Sequence, residues 1–202
     1  YINKMNNIKE LKKKEIRLFG GGRITYIENF LTEDECNELI KHMDNDIPWV
    51  QRTKTIGDRI IKTPRLLWAM RNSERNITNV YTATESSEWT DKIKEVKGKI
   101  EKETNFIFEY AQMNRYRNGD DYIGFHSDNE VKDGDIIASL SLGATRRFLF
   151  KNKNIPSRNY EMFLKGGSLL IMDDDAGKNK WKHCLPKMKH AGERFNITFR
   201  PK

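Results

Sequence analysis

Residues 194–200, Arg-Phe-Asn-Ile-Thr-Phe-Arg, alternate without a break between polar and apolar side chains. A period of two is that of an extended strand, so Phe195, Ile197 and Phe199 share one face and Arg194, Asn196, Thr198 and Arg200 the other. The aromatic face requires a core to pack against. The opposite face is a polar wall with two guanidinium groups, unremarkable in water but an acid-binding surface if a reactive centre stands beside it.

Upstream, the pattern divides in two. From residue 106 onward, short runs rich in Phe, Ile, Leu, Tyr and Thr are separated by Gly, Asn, Asp and Lys, as strands and turns are. The runs 106–116, 136–142, 147–151 and 168–172 join 194–200 as predicted strands. Before residue 106, Thr32 and Glu35 have the spacing of a capping box and Leu39, Ile40 and Met43 an apolar face, predicting a helix over 33–43. Ile93, Val96 and Ile100 predict a second helix after Thr90. Residues 24–27 read as a short strand. The Lys-rich stretch through Lys14 reads as a polar surface helix, and Gly20, Gly21 and Gly22, with no GK[ST] after them, as a flexible turn. Helices first and strands afterwards predict an α+β, mainly β fold with helices packed on a jelly roll.

At 202 residues one domain is expected. It divides into a polar extension (about 1–22), an N-terminal part with the helices (about 23–105) and a β unit (about 106–202). Cys36 and Cys184 stand far apart, outside any CxxC pair, which argues against a disulfide framework or a thiolate zinc site. No stretch approaches a membrane span and no signal peptide is seen, so a soluble, intracellular monomer of cytoplasm or nucleus is expected. The formal net charge of +8 favours a polyanionic partner, nucleic acid first.

The chemistry-bearing residues begin with His126 and Asp128, an H-x-D pair closing a strand-like segment. His183 precedes another such segment and supplies a third ligand if the chain doubles back. Two imidazoles and one carboxylate leave three open positions at an octahedral iron, although zinc hydrolysis uses the same ligand types. The Arg194–Arg200 wall suits 2-oxoglutarate, because guanidinium groups hold carboxylates through paired charge-assisted hydrogen bonds. Asn114 and Tyr116 add donors from a neighbouring strand.

Asn114-Arg115-Tyr116, His126-Ser127-Asp128-Asn129-Glu130, the IASLSLG segment from Ile137 to Gly143, Gly167-Ser168-Leu169-Leu170, His183 and the 194–200 segment together resemble the AlkB family of oxygenases, in order as well as spacing. The resemblance is firm over 106–201 and looser over 24–89. It implies a double-stranded β-helix fold, Fe(II) held by His126, Asp128 and His183, and 2-oxoglutarate held by Asn114, Tyr116, Arg194, Asn196, Thr198 and Arg200. It also implies oxidative demethylation of bases such as 1-methyladenine and 3-methylcytosine in alkylated DNA or RNA. Decarboxylation of 2-oxoglutarate with dioxygen is there coupled to methyl hydroxylation and loss of formaldehyde.

A base in a duplex must be extruded to be reached, and an aromatic face receives it. Tyr81 is the first candidate, in the 76–88 stretch where the family carries its lid, and Trp68 is the rival. Arg65 is placed to position a phosphate. In the family an acidic residue often follows the metal-binding Asp to contact the base; here Asn129 intervenes before Glu130, and an amide both donates and accepts. Two alternatives stay open: an oxygenase of protein side chains, and a nucleic-acid-binding module without catalysis.

Overall fold

The computed structural model describes residues 12–72 and 86–201. Strands β1 (Lys12–Arg17) and β2 (Arg23–Glu28) precede helix α1 (Glu33–Asn45). Then come β3 (Thr53–Ile56), β4 (Arg59–Lys62), β5 (Leu66–Arg71), β6 (Ser86–Ser87) and helix α2 (Asp91–Thr104). The remainder is β7 (Tyr110–Tyr116), β8 (Ile123–His126), β9 (Ile136–Gly143), β10 (Arg146–Asn152), β11 (Asn159–Leu164), β12 (Leu169–Asp173), a π-helical turn (Asp175–Asn179), β13 (Trp181–Leu185) and β14 (Arg194–Arg200).

An eight-stranded sheet has the order β1-β2-β12-β9-β14-β7-β5-β6, and a four-stranded sheet the order β11-β10-β13-β8. The β3-β4 hairpin stands apart. The two larger sheets close on each other as a double-stranded β-helix. Between them lie Ile24, Tyr116, Ile137, Leu170 and Met172 of the large sheet and Phe148, Phe150, Leu164, Trp181 and Leu185 of the small one. A second core fills the other side of the large sheet, where Leu39 and Met43 of α1 and Ile93, Val96 and Ile100 of α2 meet Met113, Leu140, Phe195, Ile197 and Phe199.

Both helices form where their caps and apolar spacing require. Thr32 and Glu35 make the reciprocal capping box, and α1 buries Leu39 and Met43. Thr90 caps α2, and Asn105 ends it in the left-handed conformation at φ 58°. The triple glycine takes φ values of 94°, 100° and 96°, a region other residues enter only with strain, and turns β1 into β2.

Two expectations change. Within the Lys-rich opening stretch, residues 12–14 belong to a strand, not a helix: β1 pairs antiparallel with β2 from Lys12↔Glu28 to Arg17↔Arg23. It is an edge strand whose residues are nearly all exposed. Hydrogen bonds to β2 hold it, so it needs no apolar face, and lysines on an edge deter further strand addition. The first half of the chain is also not predominantly helical. β2 and β5 enter the large sheet, pairing with β12 and β7, so the halves separated at residue 106 share one sheet.

Strand β14 sits between β9 and β7, and all seven of its residues are buried. Helices cover its Phe195–Ile197–Phe199 face, while its polar face looks into the sandwich. Phe199 stacks 6.2 Å from Trp89 and lies 5.9 Å from Phe108. Phe199→Ala is therefore expected to lower unfolding stability by about 3–5 kcal/mol, read from the midpoint of urea denaturation.

Candidate metal centre and polar wall

His126 ends β8 and His183 lies in β13, directly opposite each other in the antiparallel register. Their rings meet edge to face with centroids 4.4 Å apart. Asp128 follows two residues after His126, in a loop fixed by Ser127 Oγ donating to Trp181 O (3.0 Å) and the Asp128 amide donating to Gly177 O (3.1 Å). The Asp128 carboxylate lies 3.9 Å from His126 Nε2 and 3.5 Å from His183 Nε2. One ligand atom from each residue falls within 4.8 Å of the others, the spread that a single ion draws together.

The protonation states suit a cation. His126 Nδ1 donates to Gly124 O at 2.9 Å, which leaves the Nε2 lone pair free. Burial, and then the neighbouring His183, push the His126 pKa down to about 4, so this imidazole is neutral at neutral pH. Burial alone would raise the pKa of Asp128, but Arg200, His183 and His126 outweigh it and hold the carboxyl well below the usual range. His183 is walled by Phe148, stacked at 5.5 Å, and by Phe150 at 6.1 Å. Its Nδ1 is buried without a hydrogen-bond partner among the described residues. Two imidazoles and an ionised carboxylate, all but His126 deeply buried, match an iron or zinc donor set.

The polar face of β14 begins at this centre. Arg200 donates from Nη2 to Asp128 Oδ1 at 2.8 Å, and its Nε lies 3.1 Å from Glu130 Oε1, off the hydrogen-bonding direction. Burial opposes its charge, but Asp128 and Glu130 more than offset that and raise its pKa. Thr198 Oγ1 donates to Asn196 Oδ1 at 3.0 Å, and Asn196 Nδ2 donates to Ser139 Oγ at 2.8 Å. Asn114 Nδ2 donates to the same Asn196 oxygen at 3.3 Å.

At the far end, Arg194 is 1% exposed. Its Nη2 donates to Ser141 Oγ at 2.9 Å, and its guanidinium lies over the Tyr116 ring at 5.3 Å. Among the described residues no carboxylate pairs with it, its Nε has no partner, and burial lowers its pKa to about 10. A buried guanidinium without an anion is costly, and a carboxylate ligand relieves that cost. The donor set fits Fe(II), and this arginine, with no carboxylate partner among the described residues, fits a dicarboxylate such as 2-oxoglutarate better than it fits a zinc site with only water as the further ligand.

The structure thus brings together His126, Asp128, His183, Asn114, Tyr116, Arg194, Asn196, Thr198 and Arg200. Glu130 reaches the centre through Arg200, and Asn129 is exposed beside it. Arg65 turns inward, donating from Nε to Asn114 Oδ1 at 2.9 Å, so it meets the pocket residues instead of standing free for a phosphate. Trp68 is not brought to the site. It pairs with Met113 on the helix side of the sheet, packs on that core and donates to Ser87 Oγ at 3.1 Å. Tyr81 and the greater part of its 76–88 stretch lie outside the described residues.

Several residues of the wall escaped the sequence reading. Ser139 and Ser141 are visible in retrospect, as polar residues two apart within the otherwise apolar β9. Phe148, Phe150 and the fully buried Arg146, which lies 5.7 Å over Tyr116, carry no such signal, because only the closing of the small sheet places them there.

Residues 23–200 match the family model of the 2OG-Fe(II) oxygenase superfamily. The human alpha-ketoglutarate-dependent dioxygenase alkB homolog 3 is 33% identical over 192 residues, covering 90% of this chain and 66% of the relative, so the chain spans slightly under two thirds of that protein. The Arabidopsis thaliana DNA oxidative demethylase ALKBH2 is 29% identical over 218 residues, covering 93% of this chain and 69% of the relative. The solved structure of OsALKBH1 shares the fold with a TM-score of 0.64 at 17% identity, covering 94% of this chain and 100% of that one. With the His-Asp-His cluster and the polar wall in place, these matches identify the chain as a member of the 2OG-Fe(II) oxygenase superfamily, within its AlkB family.

Proposed function

We propose that this chain oxidatively demethylates alkylated bases in DNA or RNA, with 1-methyladenine and 3-methylcytosine as its first substrates, using Fe(II), 2-oxoglutarate and dioxygen. The observation that carries the cosubstrate is Arg194, a buried cation with no carboxylate partner among the described residues, on the same strand face that holds Asp128 through Arg200. The nucleic-acid part rests on the demethylase name carried by relatives such as ALKBH2 and on the net charge of +8.

His126, Asp128 and His183 are assigned as the metal ligands. The hydrogen bond from His126 Nδ1 to Gly124 O leaves Nε2 as the nitrogen that would hold a metal, and Arg200 keeps Asp128 ionised and oriented. Arg194 would hold a carboxylate of 2-oxoglutarate, with Tyr116, Asn114, Asn196 and Thr198 completing the polar lining. When bound, iron and 2-oxoglutarate supply the oxidising chemistry that hydroxylates an N-methyl carbon, after which formaldehyde leaves without any protein nucleophile. Phe148 and Phe150 shield the His183 side from water. Asn129 and Glu130, exposed beside the centre, are assigned to the base edge, the amide able to donate and accept and the carboxylate to accept only.

Three measurements bear on this. Mass spectrometry of methylated oligonucleotides, incubated with protein, Fe(II), 2-oxoglutarate and air, should show loss of one methyl group that His183→Ala abolishes. Consumption of 2-oxoglutarate with every oligonucleotide left intact would sink the nucleic-acid reading and turn the search to protein side chains. Arg194→Met should weaken 2-oxoglutarate binding by about 10- to 150-fold in calorimetry with a redox-inert metal, the loss expected for one charged hydrogen-bonding partner. Finally, Mn(II) added to metal-free protein should raise its melting temperature, and Asp128→Ala should remove that rise while leaving a folded protein.

A further inference from the structure

The small sheet has two faces, and only the inner one is used by the site. On β10, Phe148 and Phe150 point inward, while Arg147 and Lys151 are exposed on the other side. On β13, His183 points inward and Lys182 outward. Lys151 and Lys182 are direct cross-strand partners, and neither has an acidic partner among the described residues. Like charges placed opposite each other across a strand pair repel. The acidic residue of this face, Glu161 on β11, is already paired with Arg147 at 3.7 Å.

Two exposed aromatic rings share this outer face, Phe163 opposite Arg147 and Phe125 near Cys184. Phe163 on β11 is 48% exposed and Phe125 on β8 is 47% exposed. Between them the paired Leu149 and Cys184 form an apolar floor. Phe125 stands where the β8-β13 register slips, between the pairs His183↔His126 and Leu185↔Ile123, and it adjoins His126 in sequence. Because β8 is the edge of its sheet, the outer face continues around that edge to the metal centre.

We propose that this outer face is a track for the single-stranded polynucleotide that flanks the base in the site: phosphates lie along Lys151 and Lys182, and bases stack on Phe125 and Phe163. The inference rests on the nucleic-acid reading above and names where the rest of the strand runs. Lysines without an acidic partner among the described residues, on one face with exposed rings, form the combination that binds single strands without regard to sequence, charge tracking the backbone and π faces receiving the bases. A second copy of the chain is disfavoured as the occupant, because it would set unpaired lysines against the same unpaired lysines.

The test uses oligonucleotides with one central 3-methylcytosine, about 3 and about 20 nucleotides long, bracketing the span that a single-strand groove covers. Affinity is followed by fluorescence anisotropy at several salt concentrations. The double variant Lys151→Glu/Lys182→Glu should bind the long strand about tenfold more weakly, with a log-log salt slope shallower by about 1.4, and the short strand as the parent does. Lys151→Arg/Lys182→Arg should retain parental binding, and Phe125→Ala should weaken binding of the long strand.

Unchanged affinity and salt slope for the long strand would overturn the track, as would equal losses at both lengths. So would sedimentation showing a dimer that only the charge reversal dissociates. Demethylation of the short strand by the parent protein separates the two readings. If it proceeds while charge reversal changes nothing, the track alone falls; if the parent neither binds nor demethylates either strand, the nucleic-acid reading falls with it.

Discussion

The buried contact between Arg200 and Asp128 is the constraint around which the site is organised. Two opposite charges, each nearly without solvent, are worth retaining only if the geometry is close and other polar groups complete it, because desolvating either alone costs several kcal/mol. Here the contact is 2.8 Å, and Asp128 is flanked by two imidazoles. The pair also links two layers of the fold. Arg200 comes from the centre of the large sheet, whereas Asp128 hangs from the end of an edge strand in the small one. Such an ion pair meets only when the sandwich has closed, so the metal centre and the closed fold specify each other.

The two arginines of β14 illustrate how one strand face is divided. Arg200 has its anions within the protein, Asp128 and Glu130, and its charge is reinforced. Arg194 has a hydroxyl and a tyrosine ring, and its charge is weakened by burial. The first is a structural cation, and the second is free of any carboxylate among the described residues. On the proposed reading, their separation along the strand would suit a ligand with acid groups at both ends. The hydrogen-bonded row Asn114, Asn196, Thr198 and Ser139 between them satisfies polar atoms that would otherwise be stranded in the sandwich.

Much of this was legible in the residues. The alternation of 194–200 gave β14 and both of its faces, and the caps at Thr32 and Thr90 gave the helices, because those signals are local. The H-x-D pair and His183 stood out as chemistry types, and the structure sets them opposite each other across two strands. Less was legible where structure depends on distant partners. β1 has no apolar periodicity at all and exists because β2 offers a free edge. β5 reads only as a short apolar run after Pro64, and the large sheet decides its register. Trp68 could be counted from the sequence but not assigned to a face, and one residue of register separates the helix-side core from the pocket. Arg65 likewise reads from sequence as a phosphate contact, and only the fold turns it toward Asn114.

The position of β8 carries a consequence for how such a centre loads. β8 is a four-residue strand at the margin of its sheet, paired with β13 only at His183↔His126 and Leu185↔Ile123 across an irregular register. An ion gripping both imidazoles would act as a rivet through the seam where this margin is stitched to its neighbour. Fraying of the margin and escape of the ion would then be one event, and the rate at which the seam breathes would set how long an ion stays.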